Sequence, residues 1–421
     1  THRHPGFWDH PERFEPERFS AEASAGRHKC AYFPFSTGPR ICLGDTFAMV
    51  EGQLILAMLL QQCRGALVGD GKIIPDARIS LRPKGPVMVR SQWRDEQPVT
   101  SAPEQKQSSP LVRPLRWINK MGATLAGRGI RVPNLSEESL IATARQKTGL
   151  EDLGDEAFRP RMRVFIQALE QEAQLTTVGR GIMRRQLLRF LVNRLRIEED
   201  FKRHPEINDE VIVAPVFIVG FPRTGTTLLH NLLAQDPDNR VPLLWELMWP
   251  SPPPDPGTRA SDPRIKLVRK RLRVADIVAP QLRAIHSLDP TGPEECYHLF
   301  QLTFANPLFD AEAHVPAYMS MLEKLDWRGP YRYHKKVLKL LQWKVKGARW
   351  VLKAPSHLHT LDALLAVYPD ARIIHTHRDP CAVAASFCST YEATRSLYSN
   401  TLDLEQLGRE WVARWGTAIN D

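Results

Sequence analysis

Six cysteines in 421 residues, none in a paired spacing, give no basis for a disulfide framework and point to a reducing, cytoplasmic compartment. Long apolar runs are missing too: the most hydrophobic stretch, Leu54 to Leu60, is far too short to cross a bilayer. No internal repeat is present. Acids are in the minority, 47 against 57 lysines and arginines, so the formal charge is +10. That bias suits anionic ligands as well as simple solubility. A nucleic-acid surface would ask for clustered cations with interleaved aromatics, which the chain does not have. Its densest cluster, Arg180, Arg184, Arg185, Arg189, Arg194 and Arg196, is interleaved instead with Leu187, Leu188, Leu191 and Leu195. That spacing reads as the solvated face of an amphipathic helix. An initiating Met is also absent: Thr1 stands inside a motif, which predicts a piece of a longer chain.

What is present separates into three regions. A hydrophobic content of 43% is ample for about two or three domains. Residues 1–94 are rich in aromatics, proline and compact motifs. Residues 95–134 read as a linker, because "EQPVTSAPEQKQSSPLVR" (96–113) is polar and Pro/Ser/Gln-rich. Residues 135–421 return to helical periods with "NLSEESLIATARQ", where Ser136 can cap and Glu137 and Glu138 lie in the first turn. Pro160 to Arg203 predicts two helices broken near Gly179 and Gly181. Strand patterns follow at Val211–Val219, Trp350–Leu352 and Arg372–Thr376, each leading into a loop and a helix. The fold class is therefore α/β, a parallel sheet flanked by helices. "WPSPPPDPGT" (249–258) reads as a rigid surface loop. Phe300, Phe304, Phe309, Tyr318 and Trp327 are either ordinary core or the lining of an apolar pocket.

In the first region "FSTGPRICLG" (35–44) fits F-x-x-G-x-R-x-C-x-G at every fixed position, with Cys42 just before the helical run "DTFAMVEGQLILAMLL". A thiolate at a helix start is stabilised by free N–H groups and the dipole, as an axial iron ligand must be. "FWDHPERFEPERF" lies upstream, and "ISLRPKGPVMVR" (79–90) looks like a closing hairpin. Together these resemble the C-terminal part of a cytochrome P-450, mainly α. The resemblance implies haem bound through Cys42, with Arg40 at a propionate and Phe35 covering the thiolate, and a redox partner for the intact haem domain. That family's oxygen-activating helix and E-x-x-R pair would stand before Thr1, so the segment alone is expected not to hydroxylate.

In the third region "VFIVGFPRTGTTLLHNLLAQ" (216–235) is a strand, a glycine-bounded loop and a helix start. Gly220 to Gly225 has the spacing of a phosphate loop, yet Thr226 stands where the lysine belongs, and the cation is Arg223. A magnesium triphosphate would lose its main charge partner. The backbone N–H groups, Thr224, Gly225, the hydroxyls of Thr226 and Thr227 and the Arg223 fork still suit a short anhydride. "HTHRDPCAVAASF" (375–387) adds a second anion site, with Ser386 eight residues after Arg378. Taken together these resemble a sulfotransferase using 3′-phosphoadenosine 5′-phosphosulfate (PAPS). The resemblance implies that the first loop binds the 5′-phosphosulfate and that Arg378 and Ser386 bind the 3′-phosphate. It also places Lys353 of "WVLKAPSHLH", 25 residues before Arg378, near the transferred group.

Sulfuryl transfer further needs a base. Relatives with an arginine in the loop tend to place a glutamate after the first helix, where "RVPLLWELMWP" offers Glu246. An apolar surround would raise a carboxylate's pKa and make it a competent base. His357 is the rival, and Glu294 and Glu295 in "GPEECYHL" are weaker candidates. The chain stops at "WGTAIND" before the family's late basic loop, which predicts reduced PAPS affinity. The partner expected is a small-molecule hydroxyl acceptor, not nucleic acid. The competing readings are a P-loop kinase with a degenerate lysine and a non-catalytic anion-binding module.

Overall fold

A strand buried on both faces has to be sandwiched between helices, and "VFIV" at Val216–Val219 is such a strand. The computed structural model describes residues 4–11, 13, 15–24, 27–28, 31–32, 63–67, 75–77, 81–83, 89–93, 112–278, 288–378, 390–399, 403 and 406–410. By contacts the chain divides into two units, Thr1–Lys106 and Gln107–Asp421.

In the first unit, Trp8 is buried, with Phe19 and Tyr32 packed about it and the Arg27 guanidinium 4.5 Å above its ring. Strand β1 (Cys63–Leu67) pairs antiparallel with β4 (Val89–Trp93), and β2 (Pro75–Ala77) pairs with β3 (Leu81–Pro83). The hairpin expected over 79–90 therefore does not close on itself. Its described strands, β3 and β4, pair with the earlier β2 and β1. Phe35, Arg40 and Cys42 lie outside the described residues.

The second unit opens with helix α1 (Val112–Ala126), inside the stretch read as linker. The polar run ends before it, and its apolar residues recur at helical spacing. Next come α2 (Glu137–Thr148), α3 (Phe158–Gln171) and α4 (Thr177–Arg203). Ser136 caps α2, its Oγ accepting from the Ser139 N–H at 3.3 Å. The break between α3 and α4 falls at 172–176, not at Gly179. Thr176 caps α4 from outside, and Gly179 sits in its first turn because a Cβ there would lie 2.1 Å from the Tyr398 carbonyl oxygen.

The arginines of α4 form a solvated face only in part: Arg185 and Arg196 are exposed, Arg184 and Arg189 half-buried, and Arg180 and Arg194 buried. Arg194 is 1% exposed; its guanidinium donates to the carbonyls of Leu153, Asp155 and Leu302 and lies between the Phe158 and Tyr333 rings. Arg180 is buried in a forked pair with Glu170. Five donors on one planar group can satisfy several loop carbonyls at once, which a leucine-rich helix cannot do otherwise.

Strands β5 (Val216–Val219), β6 (Asn239–Arg240), β7 (Arg349–Lys353) and β8 (Arg372–His375) form a parallel sheet in the order β6-β7-β5-β8. Residues 211–215 are not part of β5: Val211 and Val213 are exposed, and Ala214 takes a φ of +40° before Pro215. Along β5, Phe217 and Val219 join the main core, while Val216 and Ile218 pack on Val351 beneath Leu229 and Leu233 of α5 (Thr226–Leu233). The remaining helices used below are α6 (Leu244–Met248), α7 (Pro263–Val278), α8 (Tyr297–Gln301) and α9 (Arg328–Gln342). Phe300, Phe304, Phe309, Tyr318 and Trp327 are all main-core residues, so the pocket reading of these rings does not hold.

Candidate active site

The chain crosses from β5 to β6 and β7 on one side, then to β8 on the other. The C-terminal end of β5 is thus the point where the crossover direction reverses, and open parallel sheets bind ligands at such a point. Register brings three strand ends level there: Ile218 pairs with Lys353, and Val219 with His375.

The loop from Gly220 to Gly225 is shaped by its glycines. Gly220 has φ +142°, and a Cβ on it would come within 2.5 Å of both the carbonyl and hydroxyl oxygens of Thr376. Gly225 has φ +93° and caps α5 without a side-chain hydrogen bond, so the helix's first N–H groups face the loop. Arg223 is also left-handed, at φ +69°, a conformation uncommon outside glycine. Thr224 Oγ1 donates to the Phe221 carbonyl at 2.7 Å and accepts from Thr376 Oγ1 at 2.7 Å, tying the loop to the end of β8. Just past that end, Arg378 Nη1 donates to the Arg223 carbonyl at 3.4 Å. The first loop and Arg378 are therefore together, as the sequence implied. Ser386 lies outside the described residues.

On the other side, Lys353 ends β7 with 1% exposure. Its ammonium donates to Thr227 Oγ1 at 3.2 Å and forms an ion pair with the Glu295 carboxylate. Glu295 is held in turn: its N–H donates to Glu294 Oε1 at 2.9 Å, and the next N–H, of Cys296, donates to the Lys353 carbonyl at 2.9 Å. Burial pushes the Cys296 thiol up to about 12, so it is no nucleophile. Behind α5, His230 Nε2 contacts the Val351 carbonyl at 3.1 Å. Burial, with the Lys353 charge, lowers its pKa to about 4, so it stays neutral and donates.

The two bases favoured from the sequence are placed differently. Glu246 is not in an apolar surround. It is fully buried on α6, its Oε1 accepting from Arg240 at 2.9 Å and Arg259 at 3.0 Å, its Oε2 accepting from the Leu243 N–H at 3.1 Å. Arg240 opens the same stretch, six residues before Glu246, and Arg259 comes from the loop thirteen residues after it. A carboxylate so committed is a strut between β6, α6 and the following loop. His357 is fully buried against Phe217 and Phe300, with Nδ1 2.7 Å from Tyr331 Oη of α9, which also lies 2.9 Å from Thr360 Oγ1. Burial, then the neighbouring His334, holds its pKa well below the usual histidine value.

Of the weaker candidates, Glu295 is the one the fold places against Lys353, and Thr376 and His230, which the sequence did not single out, also contact the loop and the strand beside it. The only linear signal for Glu295 was a tandem glutamate before an apolar helix; its partner Lys353 is 58 positions away. Among the described residues, no group of three or more His, Cys, Asp or Glu could hold a metal ion.

The sulfotransferase family model matches residues 215–421, and the cytochrome P450 model matches residues 1–89. Among solved structures, the chain is similar to sulfotransferase STF1 of Mycobacterium tuberculosis H37Rv at 34% identity and TM-score 0.60, over 68% of this chain and 79% of that one. Sulfotransferase STF9 of Mycobacterium avium is similar at 30% identity and TM-score 0.63, over 68% and 74%. Curated relatives match the other end. A probable cytochrome P450 4aa1 of Drosophila melanogaster is 44% identical over 96 residues, 23% of this chain and 19% of that protein. The human cytochrome P450 4V2 is 39% identical over 101 residues, 22% and 18%. The chain thus spans less than a fifth of the length of these curated relatives.

Proposed function

Because the chain belongs to the sulfotransferase family, through residues 215–421, we propose that it transfers a sulfuryl group from PAPS to a hydroxyl acceptor. The observation that carries this reading is the Lys353 ammonium, set between Thr227 of the phosphate loop and the Glu295 carboxylate at the sheet's reversal point.

In this reading the loop N–H groups and the Arg223 fork hold the 5′-phosphosulfate, and Arg378 with Ser386 holds the 3′-phosphate. The acceptor oxygen attacks sulfur as the bond from sulfur to the 5′-phosphate oxygen breaks, releasing the bisphosphate. The hydroxyl proton passes to Glu295, and Lys353 neutralises charge growing on the leaving phosphate. Glu295 keeps 17% of its side chain exposed, enough for an acceptor to reach it. His357 orients the turn after Lys353 through Tyr331, and Glu246 braces the neighbouring loop.

The N-terminal segment fits the haem-ligand end of a thiolate monooxygenase. Its parent chain would then install a hydroxyl, with a redox partner's electrons, for the second unit to sulfate. The residues that would hold haem, Phe35, Arg40 and Cys42, lie outside the described ones.

Calorimetric titration with PAPS and with ATP, with and without magnesium, tests the donor. The proposal expects saturable, magnesium-independent PAPS binding and sulfate transfer to an alcohol. Magnesium-dependent ATP binding in its place would favour the kinase reading, and PAPS binding without any turnover the anion-binding module.

A further inference from the structure

Helix α1 and the loop after it carry a surface that their packing does not use. Trp117 is 64% exposed, Ile118 40%, Met121 46%, Ile130 52% and Val132 39%. At about 100° per residue, Trp117, Ile118 and Met121 share one face of the helix. The helix meets the rest of its unit elsewhere. Gly122 lies so close to Thr177 that a Cβ would overlap its hydroxyl, and Asn119 Oδ1 accepts from the Val178 N–H at 2.9 Å. The small and polar side is therefore the docked one, and the apolar side points out, the reverse of an ordinary surface helix.

Charge completes the pattern. From Val112 to Val132 the sequence has Arg113, Arg116, Lys120, Arg128 and Arg131 and not one carboxylate. Lys120 and Arg128 are exposed, while Arg131 pairs with Glu170.

We propose that this face binds an anionic lipid bilayer, with α1 lying in the headgroup region and Trp117, Ile118 and Met121 inserted between headgroups. An apolar face with a tryptophan, beside exposed Lys120 and Arg128 and on a helix without carboxylates, has the composition of an interfacial helix. A surface of fixed negative sign fits those cations better than a protein rim, where both signs alternate. The helix lies on the bilayer and does not cross it: among the described residues, no helix is long and apolar enough to span. The site is independent of the transfer chemistry.

The test is sedimentation of the full chain with phosphatidylcholine vesicles, with and without phosphatidylglycerol, at low and high salt. Binding is expected to need the anionic lipid and to weaken with salt. Trp117→Glu with Met121→Glu should lower the bound fraction's partition constant by roughly tenfold or more. Lys120→Glu should lower it several-fold on anionic vesicles only. Both variants alter exposed side chains, so unchanged circular dichroism and melting serve as the folding control. Absent binding, or equal binding by the double variant, overturns the proposal. So does a dimer, seen by light scattering without lipid, that the double variant abolishes; that would make the face a contact between copies.

Discussion

Lys353 and Glu295 form an ion pair whose lysine end is 2% exposed and whose glutamate end is 17% exposed. The asymmetry matters. The cation is fixed inside, against the hydroxyl of Thr227, while part of the carboxylate reaches the surface. An acid and a cation so paired can exchange roles across one transfer step. In the proposed reaction the lysine's attraction would be drawn toward the leaving phosphate as the glutamate takes the acceptor's proton.

Glu295→Gln should therefore lower kcat about 10²–10⁴-fold, the usual contribution of positioned proton transfer, with PAPS affinity largely kept. Single-turnover sulfate transfer and PAPS titration measure the two separately. Near-normal turnover in the variant would remove Glu295 from the mechanism.

Glu246→Gln is expected to act on stability instead. It leaves the buried Arg240, 4% exposed, without its counter-ion. Breaking such a pair costs about 3–5 kcal/mol. Melting temperature should fall, and kcat per folded molecule should hold. A variant that melts normally but has lost turnover would return the base to Glu246.

Arg223→Ala and Arg378→Ala should separate. The loop arginine is expected to contribute about 2–4 kcal/mol to the transition state. Arg378, exposed beside the Arg223 carbonyl, should cost PAPS affinity by about 10- to 100-fold, the worth of a charge-assisted bond, with residual turnover less affected. Unchanged PAPS affinity in Arg378→Ala would end its assignment to the 3′-phosphate.

Stability should fall with acid below the histidine range. His230 and His334 are neutral in the fold, burial lowering them to about 4 and about 3, whereas the unfolded chain takes up protons near 6.5. The unfolded state thus binds more protons as pH drops, so this stability is complete above about 6.5 and is lost toward about 4 and below. His230→Gln should flatten the dependence by on the order of 3 kcal/mol between those limits, read from denaturant melts across pH. An equally steep wild type and variant would contradict it.

The parallel α/β architecture and the strand–loop–helix turn at 216–233 were legible in the sequence because they are local. A four-residue apolar strand, a glycine that must take positive φ and a helix start all lie within twenty positions, as do the strand and the arginine at Arg372–Arg378. The same holds for the cap at Ser136. What sequence could not decide was which charges meet. Glu246 looked isolated in an apolar run, yet Arg240, only six positions before it, folds back onto its carboxylate, and the chain's return at Arg259 brings the second cation. Arg194 of α4 looked solvated like Arg185 and Arg196, which are exposed, yet three loop carbonyls close over it. Glu295 meets Lys353, a neighbour across the fold and not along the chain. Local propensity and backbone sterics act over a few residues, so they are written in sequence. The surroundings of a buried charge are set by long-range packing, and they exist only once the sheet has assembled.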